Sequence, residues 1–209
     1  MCGIVGKVSY KGITQKDIDD TKNMLSAIIH RGPDSEGFYS DENVAFGHRR
    51  LSILDLSTAA NQPMTDDENT LVLIFNGEVY NHLEIRERLK SKYNFKTDHS
   101  DTETILYAYK EWGLECIKYF NGFFAIALYD KVKMETILIR DRAGKKPLFF
   151  TMSNNALYFS SEIHAFFKAG IVEKCINKET IYNYLTFLTT NAPDTFFANI
   201  YKLECGHYL

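Results

Sequence analysis

Position 2 of this 209-residue chain is a cysteine directly behind the initiator methionine. A methionine before a small residue is normally removed, which would make Cys2 the first residue and place a thiol and a free α-amine on one amino acid. An α-amine titrates at about 7.7 to 8.0, close enough to neutral pH to take the thiol proton, directly or through a water, without a histidine. The thiolate so formed can attack an amide carbon, and the same amine can protonate the departing nitrogen. That attack creates an oxyanion, which preorganised N–H donors stabilise. Asn76 and Gly77 have the right groups: the first carries an N–H₂, and the second lets its backbone N–H approach without a Cβ in the way. Asn-Gly after a strand is also a common turn dipeptide, and on residue type alone both uses stay open.

The other cysteines, Cys116, Cys175 and Cys205, are far apart and read as inert thiols, without the spacing of a metal site or a disulfide framework. The histidines show neither triad nor metal spacing, so no metal is expected. A net charge of −3, from 24 basic and 27 acidic residues spread along the chain, lacks the dense basic stripe that nucleic acid attracts. The Lys-rich stretch from Lys90 to Lys96 is interrupted by two aromatics and an asparagine and reads as a solvated helix end. No apolar run approaches the roughly 18 residues of a membrane span, and no charged leader precedes a hydrophobic block. A cytoplasmic protein without membrane or nucleic-acid partners is the expectation.

The elements that must position Cys2, Asn76 and Gly77 follow from periodicity. CGIVGKVSY reads as a strand starting almost at the first residue, and Ile18, Leu25, Ile28 and Ile29 recur at helical spacing before the Arg31-Gly32-Pro33-Asp34 loop. Strand-like runs follow at Gly37 to Ser40, Val44 to Arg49 and Leu71 to Phe75, the last ending at Asn76-Gly77. Asn81 with Glu84 and Ser100 with Glu103 resemble capping pairs ahead of two helices, Leu83 to Tyr93 and the pattern Ile105, Leu106, Tyr109, Trp112. Four β-rich runs between Phe123 and Phe159 suggest an antiparallel meander forming a second sheet. Helical patterns return after Ser161 and after Asn177, where Ile181, Tyr184, Leu185 and Leu188 mark one face. With 45% hydrophobic residues and no linker or repeat, the chain reads as a single layered α+β domain over residues 1–209.

The segments CGIVG, HRGPDSEGF, GHRRLSILD, NQPM, FNGEVYN, SDTETIL, NGFFAIALYD, RDRAGKKPLFF and FSSEI resemble, in this order, class II glutamine amidotransferases, in particular the glutaminase domain of asparagine synthetases. The resemblance runs from Cys2 to Leu209. It implies an N-terminal-nucleophile hydrolase-like fold, a four-layer α/β/β/α sandwich with two antiparallel sheets. It makes Cys2 the nucleophile, Asn76 and Gly77 the oxyanion hole, and Arg50 the partner of the glutamine α-carboxylate, for which a guanidinium fork is well matched. Leu51, Ser52, Ile53 and Leu54 join the substrate-binding set, with Asp101 and Glu78 on the α-ammonium, Glu78 through its side chain or its backbone. By residue type alone, Arg50 also fits a surface ion pair, Asp101 a helix cap and Glu78 a solvated turn. His30 and Arg31 open a loop that the resemblance sets near the nucleophile. Ala143, Lys145 and Cys205 depart from the usual pattern, away from the proposed site.

The implied activity is hydrolysis of glutamine to glutamate and ammonia, the ammonia going to an ATP-dependent asparagine synthetase-like amidation in a domain or subunit not in this chain. No cofactor is expected here: ATP and Mg belong to that synthetase part, and no Gly-Gly or G-x-x-x-x-G-K-[ST] loop occurs in this sequence. Glutamine, the synthetase domain or subunit, and a second copy in a homodimer are the expected partners. The acceptor could be aspartate or another carboxylate. The competing expectation is a non-catalytic glutamine-binding regulatory or scaffold module with the same fold.

Overall fold

A computed structural model describes residues 1–209. Ten strands form two antiparallel sheets. The six-stranded sheet runs β10-β8-β9-β1-β3-β2, built from Tyr201–Lys202, Phe149–Ser153, Ala156–Ser160, Gly3–Val8, Val44–Arg50 and Ser35–Ser40. The four-stranded sheet runs β4-β5-β6-β7, from Met64–Thr65, Leu71–Val79, Gly122–Asp130 and Glu135–Arg140.

Both faces of each sheet are apolar, because alternate residues of each strand point to opposite sides. In β1, Ile4 and Val8 meet the other sheet while Val5 faces outward. In β5, Val72 and Ile74 point inward, and Leu71, Leu73 and Phe75 face outward. The inner faces bury Phe46 and Phe159 edge to face, with Leu138, Leu148 and Ala127 around them. Helix α1 (Gln15–Ala27) and helix α4 (His164–Lys168) cover the outside of the large sheet through Met24, Leu25 and Phe166. Helices α2 (His82–Leu89) and α3 (Asp101–Trp112) cover the small sheet through Ile85, Leu89, Ile105 and Leu106. The order helix, sheet, sheet, helix is the expected four-layer sandwich. No helix is long and apolar enough to cross a membrane.

Several local expectations are corrected. Strand β5 does not end at Phe75: it continues through Asn76 and Gly77 to Val79, pairing Asn76 with Ala125 and Gly77 with Phe124. The dipeptide is therefore not a turn. A Cβ on Gly77 would sit 2.2 Å from the Phe123 carbonyl oxygen, so only glycine lets β6 approach here. The four runs between Phe123 and Phe159 are divided between the sheets, β6 and β7 in one and β8 and β9 in the other. The crossing is made at Asp141, whose buried carboxylate accepts from the backbone N–H groups of Ala143, Lys145 and Lys146 at 3.0 to 3.1 Å and folds the RDRAGKK segment into a compact turn. Neither expected capping pair forms. Asn81 instead ties Tyr119 and Asn121, and Glu103 accepts from the N–H groups of Lys96 and Thr97. The capping box lies at Thr14 and Asp17 of α1, whose Asp17 also pairs with Lys7 of β1. Helix α2 stops at Leu89, before Tyr93. Helix α5 (Lys178–Phe187) buries only Thr180, and its marked face is open, with Leu185 72% and Leu188 78% exposed.

Phe46 tests the inter-sheet core. Phe46→Ala empties a fully buried site against Phe159 and should cost about 3–5 kcal/mol in denaturant unfolding. A loss under about 1 kcal/mol would show that the sheets are not held together there.

Candidate active site

Cys2 stands at the start of β1, where the register pairs Gly3 with Arg49 of β3 and so brings the N-terminus beside the chain leaving β3. The Leu51 N–H points at the Cys2 sulfur at 3.4 Å, a donor suited to a thiolate, and the thiol lies 3.6 Å from the Leu51 carbonyl oxygen. Arg31 holds Cys2 from the other side: its Nε donates to the Cys2 carbonyl at 2.8 Å, and its Nη1 to Glu162 at 2.9 Å. Arg31 is buried in the short helical turn Ile29–Arg31. A Cβ on Gly3 would meet Ile28 at 2.7 Å and Arg31 at 3.1 Å, so the glycine lets that turn close on the Cys2 backbone. Burial pushes the Glu162 carboxyl up, but the bonds from Arg31 and His30 outweigh it and hold the group below its ordinary range.

Cys2 opens on a cavity of about 100 Å³ that also meets Asn76, Gly77, Glu78 and Asp101. Asn76 and Gly77 face it because β5 runs through the centre of the small sheet. The Asn76 Nδ2 is buried and has no hydrogen-bond partner. Leaving such a donor unpaired costs about 1–3 kcal/mol, and an oxygen arriving in the cavity would relieve that cost. Asp101 is the first residue of α3. Its carboxylate accepts the Val79 N–H at 3.1 Å. Burial raises its pKa to about 6; the N–H bonds from Val79 and Thr102 pull it down, and the nearby charge of Glu78 pushes it up.

Arg50 ends β3 and lines the same cavity. Its guanidinium is buried, and every one of its hydrogen bonds goes to a neutral oxygen: the carbonyls of Leu54, Asp55 and Ser57 and the side-chain amide of Asn61. The arginine thus curls the segment after β3 around itself and keeps a positive charge without a carboxylate. Leu51, Ile53 and Leu54 of this segment reach the cavity wall. Ser52 does not: its N–H is turned to the Asp34 carboxylate at 2.8 Å, so the loop presents its neighbours instead.

Residue patterns missed part of the wall. Gln62 donates to Thr102 at 3.0 Å and accepts the Phe75 N–H at 2.6 Å, linking the loop, β5 and α3. Gln62, Thr102 and Lys146 all line the cavity. Each lies inside a segment that carried the resemblance, NQPM, SDTETIL and RDRAGKKPLFF, but none has a chemistry that marks it in isolation. His48 is buried between the sheets, its Nε2 donating to the Phe75 carbonyl at 3.2 Å. Burial drives its pKa down to about 3, helped by the Arg50 charge, so it is a neutral structural imidazole and no base at neutral pH.

A family model described as glutamine amidotransferase domain matches residues 1–209. The glutamine-hydrolyzing asparagine synthetase 1 of Bacillus subtilis is 39% identical over 210 residues, covering 99% of this chain and 33% of that protein. A putative glutamine-hydrolyzing asparagine synthetase 2 of Methanocaldococcus jannaschii is 35% identical over 231 residues, covering 100% of this chain and 44% of the relative. The chain thus spans between a third and a half of the length of these relatives. In the solved structure of the glutamine phosphoribosylpyrophosphate amidotransferase of B. subtilis, complexed with ADP and GMP, the same fold recurs with a TM-score of 0.68 and 20% identity, over 84% of this chain and 45% of that one. The family match over the full length, on a fold of two antiparallel sheets with Cys2 at the start of β1, establishes that this chain belongs to the class II glutamine amidotransferases and is related to the asparagine synthetases.

Proposed function

We propose that the domain hydrolyses glutamine to glutamate and ammonia at Cys2. The observation that carries this function is one cavity joining the Cys2 thiol, the unpartnered Asn76 Nδ2, a buried guanidinium and two carboxylates. Its charges match a zwitterion bearing an amide: Arg50, compensated only by neutral oxygens, takes the α-carboxylate, and Asp101 with Glu78 takes the α-ammonium. The second carboxylate near Asp101 and its burial both make its charge unfavourable in the free protein, and an ammonium would remove that penalty.

Met1 is present and exposed, and it lines the cavity beside Lys146. While it remains, the nitrogen of Cys2 is an amide and cannot serve as a base. After its removal the α-amine accepts the thiol proton, and sulfur attacks the side-chain amide carbon of glutamine. Asn76 Nδ2 and the Gly77 N–H stabilise the resulting oxyanion. The ammonium returns the proton to the leaving nitrogen, the C–N bond breaks, and ammonia departs from a thioester. Water, deprotonated by the same amine, then cleaves the thioester to glutamate and restores the thiol. The ammonia serves an ATP-dependent, asparagine synthetase-like amidation carried out by another domain or subunit. With Met1 retained the same cavity binds glutamine without turnover, which is the non-catalytic alternative.

Protein from its own host should have the intact mass of a chain starting at Cys2, and Cys2→Ala should lose more than about a thousandfold in glutamate release with its fold unchanged by circular dichroism. Retained Met1 on active protein, or substantial hydrolysis by the variant, would overturn the mechanism.

Asp101→Asn separates stability from binding. The folded carboxyl titrates at about 6 against an ordinary 3.8, so the folded state holds its proton more tightly than the unfolded chain. The stability this group contributes is full below about pH 4 and is lost as the pH rises through about 6. The variant escapes that loss and should be more stable than the parent at about pH 7.5, by up to about 3 kcal/mol in urea unfolding, with the gap closing toward about pH 4. In the Cys2→Ala background the same change should weaken glutamine binding, measured by calorimetry, by about 1.5–3 kcal/mol. Unchanged affinity would rule out the ammonium role, and no stabilisation at neutral pH would show that Asp101 is not held in a penalised state.

A further inference from the structure

Behind the nucleophile, on the helix-covered side of the large sheet, three side chains converge that the glutaminase chemistry does not use. His30 lies in the turn after α1, His164 is the first residue of α4, which packs on α1, and Glu162 lies just before it. One ligand atom from each lies within 4.8 Å of the other two. Glu162 Oε1 accepts from the Arg31 guanidinium at 2.9 Å and also meets His30 Nε2 at 2.9 Å, while Oε2 faces His30 Nε2 at 3.2 Å and His164 Nδ1 at 3.1 Å.

The geometry points to a divalent transition-metal site, of the kind that binds Zn²⁺, formed by His30 Nε2, His164 Nδ1 and Glu162 Oε2. Three observations carry it. First, the other nitrogen of His164 lies 2.8 Å from the Ala27 carbonyl oxygen, which can only accept, so Nε2 carries the proton. Nδ1, turned to the Glu162 carboxylate at 3.1 Å, is then the ring nitrogen left to ligate an ion. An outer carbonyl fixing the tautomer is also the usual way a ligating histidine is oriented. Second, both nitrogen–oxygen separations lie close to those around a bound ion, and the two imidazole nitrogens are within 4.8 Å of each other. Zinc bound at about 2.0–2.2 Å to nitrogen and oxygen sets neighbouring donors about 3.3–3.5 Å apart in a tetrahedron, a few tenths of an ångström beyond the 3.1 and 3.2 Å found here. Third, both imidazoles are about half exposed, at 57% and 50%, so an ion can enter and water can fill the fourth position. Two imidazoles and one carboxylate favour Zn²⁺, Co²⁺ or Ni²⁺ over Mg²⁺ or Ca²⁺, which require mostly oxygen donors. Oε1 stays with Arg31, so the ion would brace the same arginine that holds the Cys2 carbonyl.

The test is metal binding by the full chain in the Cys2→Ala background, which removes the nucleophilic thiol as a competing ligand and makes the result independent of turnover. Titration with Zn²⁺ alone should give one saturable equivalent that Mg²⁺ does not displace. His164→Gln, on a half-exposed residue, should weaken it by at least about tenfold, what loss of even an outer-shell partner costs, and Glu162→Gln should do likewise. Cys175→Ser and Cys205→Ser should leave it unchanged. Co²⁺ bound there should show d–d bands without a thiolate charge-transfer band. No saturable equivalent, undiminished binding in folded His164→Gln, or a thiolate band lost with Cys175 or Cys205 would overturn the site, leaving the cluster as hydrogen bonds and charges around Glu162.

Discussion

The pairing of β1 with β3 is the constraint on which the site depends. With Gly3 opposite Arg49, the residue before the strand falls beside Leu51, whose N–H reaches the Cys2 sulfur. The same register puts Ile4 and Phe46 in the inter-sheet core. A slip of one residue would turn those side chains to the wrong faces, exposing Ile4 and Val8 to the helical layer and withdrawing the sulfur from its donor. The hydrophobic core and the position of Cys2 are therefore fixed by one ladder of backbone hydrogen bonds.

Around that ladder the cavity gathers groups that are unfavourable in the free protein. Asn76 keeps a buried donor without a partner, Asp101 keeps a carboxylate that burial drives toward neutrality, and Arg50 keeps a buried charge surrounded by neutral oxygens. Stability alone would select none of these. Under the proposed function each would be compensated by a different part of a single zwitterionic amide, and the rigid elements that carry them, a central strand, a helix start and a strand end, prevent them from relaxing toward one another.

The outer layer supports the same end of the molecule. Arg31 spans from Glu162 to the Cys2 carbonyl, so helix α4 and the turn after α1 restrain the first residues of the chain although neither reaches the cavity. The close approach at Gly3 makes this bridge short. On α5, Tyr184 packs edge to face against Phe196 while Leu185 and Leu188 stay exposed.

The sequence by itself singled out Cys2 as the candidate nucleophile and determined the layered α+β class and most strands, because these depend on local properties: a cysteine behind Met1, period-two alternation, and segments whose order marks a family. It also named Asn76, Gly77, Arg50 and Asp101 as cavity residues. It could not place Asn76-Gly77 inside a strand, because whether that dipeptide turns or continues depends on how closely β6 packs against it. Nor could it assign Ser52 outward, divide the runs from Phe123 to Phe159 between two sheets, or replace the two expected caps by long-range ties. Those outcomes rest on contacts between residues far apart in the chain, such as Ser52 with Asp34, Asn81 with Asn121, and the Asp141 turn. Gln62, Thr102 and the convergence of His30 with Glu162 and His164 were likewise decided only by the tertiary structure. Their polar atoms meet across separations of 40 and 132 residues, and no local pattern records which distant loop will fold against which.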